Sequence, residues 1–234
     1  RKKIGRKYFA ELNSYAEDFI KFIEKSKNFS PPVEQERYLQ QSLMYYFSII
    51  RAGILSEIDK EILQKKQVTE DEIRSLFEKF IEKQVEEFNK VKLNENRKEN
   101  DIKNFIQKQK KSIDISQKQI FEKFPISQKA QEGLYVLSAN VFCRFIEQIQ
   151  FNVSGVVIAG FGKNDIYPSL KSYLVSGISD NRLNFRAEKL HKIDTNNSAL
   201  IIPFAQSEMV FTFMEGVDPK YKLLLDKSQY EIYD

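Results

Sequence analysis

The chain has 234 residues and a mass of 27.6 kDa, enough for one large domain or two small ones with a buried core. At 41% hydrophobic and 30% charged it excludes disorder as an overall description. The single cysteine, Cys143, and the single histidine, His191, exclude an intramolecular disulfide, a thiolate zinc cluster, an iron–sulfur centre and a multi-histidine metal site. The net charge of +4, from 37 basic and 33 acidic residues, describes a mixed and mildly basic surface, which gives nucleic-acid binding little support. No apolar run is long enough to span a membrane, and no secretory signal is visible.

The chain starts at Arg1, without Met, and runs through Lys2, Lys3, Arg6 and Lys7 into a helical pattern. It is expected to follow a removed segment or to be a piece of a longer protein. Its character changes near residue 151. Only Gly5, Gly53 and Gly133 precede that point, whereas Gly155, Gly160, Gly162, Gly177 and Gly216 follow it. Residues 1–150 carry 28 basic and 23 acidic side chains; residues 151–234 carry 9 and 10. The reading is a mainly helical region, 1–150, followed by a strand-rich region, 151–234, closed by one helix.

In chain order, Tyr8, Leu12, Tyr15, Phe19, Phe22 and Ile23 lie along one helix face, and Pro31 and Pro32 are expected to end that helix. A second helix spans roughly 34–64. Its segment 43–50 is apolar almost all round, and Gly53 marks a close helix approach. Thr69 and Glu72 have the spacing of a reciprocal capping box, and an apolar stripe from Ile73 to Val91 follows. Residues 92–100 read as solvated, with short helices around Ile102–Ile106 and Ile120–Phe124. The basic run Lys108-Gln109-Lys110-Lys111 reads as a solvated helix end rather than a phosphate-contacting patch, since it lacks interleaved aromatics. Ser127 caps a further helix that carries Leu134, Leu137, Val141 and Cys143. A cysteine within a helix has no dependable cation or helix N-terminus to activate it, so Cys143 reads as a filler.

Beyond residue 151, Val156–Ala159 reads as a buried strand and Gly160–Asp165 as a hairpin turn. Neither a phosphate-binding loop nor a dinucleotide fingerprint has the spacing it needs there, because Asn164 follows Gly162-Lys163. Lys171–Gly177 and Arg182–Arg186 alternate as strands. His191 falls in a polar stretch that reads as a loop, not as a catalytic position. Ala199–Pro203 reads as another strand, and Phe204–Gly216 as a strand-to-helix junction and an amphipathic helix with Gly216 as its C-cap. The tail is expected to pair along a sheet through Tyr230–Tyr233.

The segments Val156–Gly162, Ser172–Gly177 and Ala199–Pro203, with the helix from Gln206, resemble the later half of proteasome-subunit-like proteins of the N-terminal-nucleophile hydrolase superfamily. The likeness is one of strand order and glycine placement and is firmest over residues 151–218. It implies an α+β fold: part of a four-layer αββα sandwich, an antiparallel sheet with flanking helices, enlarged by a large helical region in the same domain. It also implies amide or peptide bond hydrolysis by a processed N-terminal Thr, Ser or Cys whose own amine acts as base. Arg1 cannot be that nucleophile, and the early strands with their supporting lysine and aspartate do not match the text around Lys2 and Lys3. The resemblance therefore implies a partner, either a missing N-terminal segment or a companion chain. Gln206 and Ser207 fall near the supporting serine loop of such proteins. No cofactor or metal is implied, self-association through outer helices is expected, and the compartment is the cytoplasm. A non-catalytic assembly subunit and, more remotely, a nucleic-acid-binding protein are the competing readings.

Overall fold

The computed structural model describes residues 7–26, 29–195, 199–202, 204, 207–218, 220–222 and 224. The chain forms two compact units, residues 1–191 and 192–234. Its helices are α1 (Leu12–Lys25), α2 (Pro32–Lys65), α3 (Glu70–Asn89), α4 (Glu99–Phe121), α5 (Gln128–Cys143) and α6 (Ser207–Glu215). A 3-10 turn, Glu147–Ile149, leads from α5 into strands β1 (Ser154–Gly160), β2 (Ser169–Ser179) and β3 (Arg182–Lys192). This is a mixed α+β fold with a three-stranded antiparallel sheet flanked by helices. Among the described residues no helix is long and apolar enough to cross a membrane.

The longest helix organises the first unit. Along α2, Leu39, Leu43, Tyr46, Phe47, Ile50 and Ile54 are buried against Phe77 and Ile81 of α3, Phe105 and Ile113 of α4, and Leu134 and Val141 of α5. At Gly53 the ring of Phe80 on α3 packs directly against α2, since a Cβ there would lie 2.5 Å from Cζ of Phe80. The capping box that starts α3 is formed as expected: Glu72 N–H donates to Thr69 Oγ1 at 3.3 Å, and Thr69 N–H donates to Glu72 Oε2 at 2.9 Å. Phe121, at the end of α4, is gripped by Phe77 and Phe47 with ring centroids 5.4 and 5.6 Å away.

The sheet runs β1-β2-β3, with Val156 of β1 paired to Tyr173 of β2 and Ile158 to Lys171. Strand alternation divides its residues between two faces. Val156, Ile158, Tyr173, Val175, Leu183, Phe185 and Ala187 pack with Ala16 and Ile20 of α1. Ser176 and Asn184, on the opposite face, meet α2 and α5. β2 and β3 are joined by a two-residue turn, Asp180-Asn181, with φ of 53° and 56°, the left-handed pair that a type I′ hairpin requires. Gln35 of α2 binds that turn twice: its Oε1 accepts from Asn181 N–H at 2.8 Å, and its Nε2 donates to Asn181 Oδ1 at 3.1 Å.

The turn between β1 and β2 closes on the entry to α1. Lys163 N–H and Asn164 N–H donate to the carbonyls of Phe9 and Ala10, both at 2.9 Å. Gly162 allows the approach, because a Cβ there would lie 2.3 Å from the backbone of Glu11.

Several sequence expectations are corrected. The prolines start α2 rather than ending α1: Pro31 is its N-cap and Pro32 its first residue, where the missing N–H costs nothing. α1 stops at Lys25, with Ser26 N–H satisfied by the carbonyls of Phe22 and Ile23. Its buried face is Leu12, Ala16 and Ile20, whereas Tyr8, Phe19 and Phe22 are exposed. Residues 99–121 form one helix, which places Lys108–Lys111 in mid-helix rather than at an end. The preceding polar segment is not solvated throughout, because Asn94 and Arg97 are buried.

β3 extends through His191, so that residue is half-buried in a strand and not in a loop. Residues 199–202 form no strand, and Leu200 and Ile201 are exposed. In the second unit α6 ends as expected at Gly216, whose φ is 73° and whose N–H donates to the Thr212 carbonyl at 2.8 Å. Tyr230–Tyr233 lie outside the described residues.

Candidate functional site: a polar seam beneath the sheet

The second face of the sheet does not meet the helices through apolar side chains alone. Asn184 sits between Leu183 and Phe185, so alternation that buries its neighbours against α1 turns the amide toward α5. Asn184 is fully buried, and an amide in that position must find partners within the protein. Its Nδ2 donates to Gln150 Oε1 at 2.8 Å and to the Val141 carbonyl at 3.2 Å, and its Oδ1 accepts from Asn94 Nδ2 at 2.8 Å. Asn94 is held in turn by its own N–H, which donates to the Cys143 carbonyl at 2.8 Å. Tyr38 of α2 reaches the same face and donates its hydroxyl proton to Ser176 Oγ at 2.9 Å.

A second group of polar side chains closes the hairpin end. Glu24, near the end of α1, accepts through Oε1 from Asn96 Nδ2 at 2.6 Å and from Leu183 N–H at 3.1 Å. Arg182 Nη1 donates to the Asn96 carbonyl at 2.6 Å and to Asp101 Oδ2 at 3.0 Å. Asp101 thereby joins an ion pair to the cap of α4, since the same oxygen accepts Lys98 N–H at 2.7 Å. Arg144 is bound by Asn140 Oδ1 at 2.9 Å, by the Val91 carbonyl and by Glu99. Beside this group lies an open cavity of about 610 Å³, lined by Glu24, Ser26, Ser30, Gln35, Asn96 and Arg182 among others.

Two buried groups of the seam, Cys143 and Tyr38, are held in their neutral forms near neutral pH. Burial pushes the Cys143 thiol up to about 11, against which the nearby Arg97 charge acts only in part. Burial likewise raises the Tyr38 hydroxyl above its ordinary value, more than its hydrogen bond with Ser176 and the Arg97 charge lower it. Near neutral pH the seam therefore contains hydrogen-bonding hydroxyl, thiol and amide groups with no thiolate nucleophile. Beside them Arg97 is buried as well, and burial strips its guanidinium of water and lowers its proton affinity.

The structure does not bring the expected site residues to this seam. Ser207 opens α6 in the second unit, and Gln206 lies outside the described residues. Lys108 pairs with Asp180 of the hairpin, and Lys110 lies over the Tyr135 ring, 5.8 Å from its centroid. Two of the three charges in the basic run are thus engaged within the fold. Among the described residues no three His, Cys, Asp or Glu side chains converge as metal ligands would. Sequence reasoning missed Asn94, Arg97 and Asn184. The signal for Asn184 was available, as an amide breaking an apolar strand; Asn94 and Arg97 carry no local signal at all.

No family model, no curated protein and no solved structure matches this chain.

Proposed function

We propose that the chain is the downstream part of a proteasome-like N-terminal-nucleophile hydrolase that cuts amide or peptide bonds. In this reading the nucleophile is carried by a segment or companion chain outside residues 1–234. The observation that supports it best is an antiparallel meander, reached after a run of helices, whose second face is incompletely covered. At the β1 end of that face Gly155, Val157 and Ala159 are exposed, and Leu170 and Leu174 of β2 are half-buried. Two stacked sheets need one such face each.

The open strip is then the seat of a second sheet, α1 is an outer layer of a four-layer αββα sandwich, and α2–α5 are an elaboration gripping the hairpin. Gln206 and Ser207 are the residues to which this reading gives a supporting role. The compartment is the cytoplasm, where a lone thiol such as Cys143 stays reduced. The chemistry belongs to a residue outside 1–234: its α-amine takes the hydroxyl or thiol proton as the side chain attacks the carbonyl. That proton passes to the departing amine as the C–N bond breaks, and water then cleaves the acyl-enzyme to release the acid and restore the nucleophile.

The test is intact mass and N-terminal sequencing of the full-length protein, with labelling by a β-lactone or epoxyketone. A new N-terminal Thr, Ser or Cys carrying the label is the expected result. An unprocessed N-terminus that takes no label overturns this reading in favour of a non-catalytic assembly subunit. Exposed Phe19, Phe22 and Phe29 favour that second reading, as surfaces for self-association.

A further inference from the structure

In the sheet order β1-β2-β3 both outer strands are edges, and among the described residues no strand lies beyond β1. An unpaired edge is a template for another strand, and proteins blunt it with charge, proline or a bulge. β3 carries such charges at Arg182, Arg186, Glu188, Lys189 and Lys192. β1 has none of these devices. It holds no charged residue and no proline, and its register with β2 is unbroken from Ser154 to Gly160. The whole stretch 148–162 is free of charge in a chain that is 30% charged. Residues 153–161, Val-Ser-Gly-Val-Val-Ile-Ala-Gly-Phe, also read alike in both directions by size. Outward from Val157 come β-branched Val156 and Ile158, small Gly155 and Ala159, small Ser154 and Gly160, then apolar Val153 and Phe161. Antiparallel pairing of this strand with itself about Val157 sets the members of each pair opposite one another. Phe161 is 59% exposed and Val157 41%, so both have apolar surface to bury in such a pairing.

We propose that the free edge of β1 binds a second copy of this chain, the two strands pairing antiparallel about Val157 so that both sheets become one. The two-fold axis is then perpendicular to the sheet, and each face continues into the same face of the partner. Val156 and Ile158, which pack with α1, face their counterparts on that side and extend its apolar cluster. On the open face Val157 meets the partner's Val157, flanked by Gly155 against the partner's Ala159. This interface needs no catalytic activity, and it is separate from the exposed aromatics Phe19, Phe22 and Phe29.

The test is sedimentation equilibrium of the full chain, with disulfide trapping to read the register. The wild type should dimerise. Val157→Lys places two like charges face to face at the axis and should weaken the dimer by roughly tenfold or more. Val157→Cys should crosslink under mild oxidation, because paired Cα atoms lie about 4.5–5.5 Å apart, within disulfide reach. The native Cys143 is buried and stays out of that reaction. Gly155→Cys alone should not crosslink, since in this register the two equivalent positions are about 13 Å apart along the strands. Mixed with Ala159→Cys, it should. If Val157→Lys does not fold, the crosslinking pattern decides alone. A wild type that stays monomeric up to about 1 mM overturns the proposal. So does a dimer that Val157→Lys leaves intact, or crosslinking by Gly155→Cys alone that equals crosslinking by Val157→Cys.

Discussion

Asp165 caps α1 across 153 positions of sequence: its Oδ2 accepts Leu12 N–H at 3.1 Å and also Gly162 N–H at 2.6 Å. Glu11, the residue in the N-cap position, offers no side-chain bond of its own. The helix is thus capped by the β1–β2 turn, and that turn is closed by the same carboxylate oxygen. Replacing Asp165 by Ala removes an acceptor for two backbone donors. It should cost about 1–2 kcal/mol in urea unfolding, with native helicity unchanged. An unchanged midpoint would show that water replaces the carboxylate at no cost.

Gly162 lies against backbone atoms of Ala10 and Glu11, which cannot rotate out of the way as a side-chain end can. Gly162→Ala should therefore destabilise by about 1–3 kcal/mol, the range expected for overpacking. Gly155→Ala is the matched control, because a Cβ there meets nothing within 4 Å. Equal unfolding midpoints for the two variants would refute the close approach.

Asn184 holds three buried groups, and its replacement by Ala would leave Gln150 Oε1, the Val141 carbonyl and Asn94 Nδ2 without it. Unsatisfied buried groups cost about 1–3 kcal/mol each, so Asn184→Ala should lose roughly 3 kcal/mol or more by chemical denaturation. Leu93, a half-buried neighbour of Asn94, supplies the comparison. If Asn184→Ala proves no more costly than Leu93→Ala, the seam is hydrated rather than closed.

The alkaline limb of stability should carry a signature of Cys143. Burial raises its folded-state value from 9.0 to about 11, so the folded protein keeps a proton that the unfolded chain releases. That contribution is fully present below pH 9 and is lost as the pH rises toward about 11, by on the order of 2 kcal/mol. Urea midpoints measured across this window should fall in the wild type and fall less in Cys143→Ala. Parallel curves would assign the loss to other groups, such as Tyr173, which burial raises to about 12.

What the sequence made legible was local. The Thr69–Glu72 box, the Gly216 cap and the strands at Lys171–Gly177 and Arg182–Arg186 depend on residues a few positions apart, and each is present. Both strands are longer than their alternating segments, and β3 is buried on both faces at Leu183, Asn184 and Phe185. Along α1 the large aromatics Phe19 and Phe22 dominate the sequence pattern but stay exposed, whereas the small Ala16 is fully buried against the sheet. The seam was invisible for a different reason. Asn94 and Asn184 are 90 positions apart, and a polar loop that will be buried looks the same in sequence as one that stays in water.

The double bond pattern between Gln35 and Asn181 has a consequence for which of several sheets the chain can build. A one-residue slip of β3 along β2 would exchange its faces, sending Leu183 and Phe185 where Asn184 belongs. Such a slipped hairpin would present a different turn residue to Gln35, and the paired donor and acceptor would no longer match. The two bonds made by a side chain in the first turn of α2 thus fit only the register that puts Asn181 in the turn, 146 residues away.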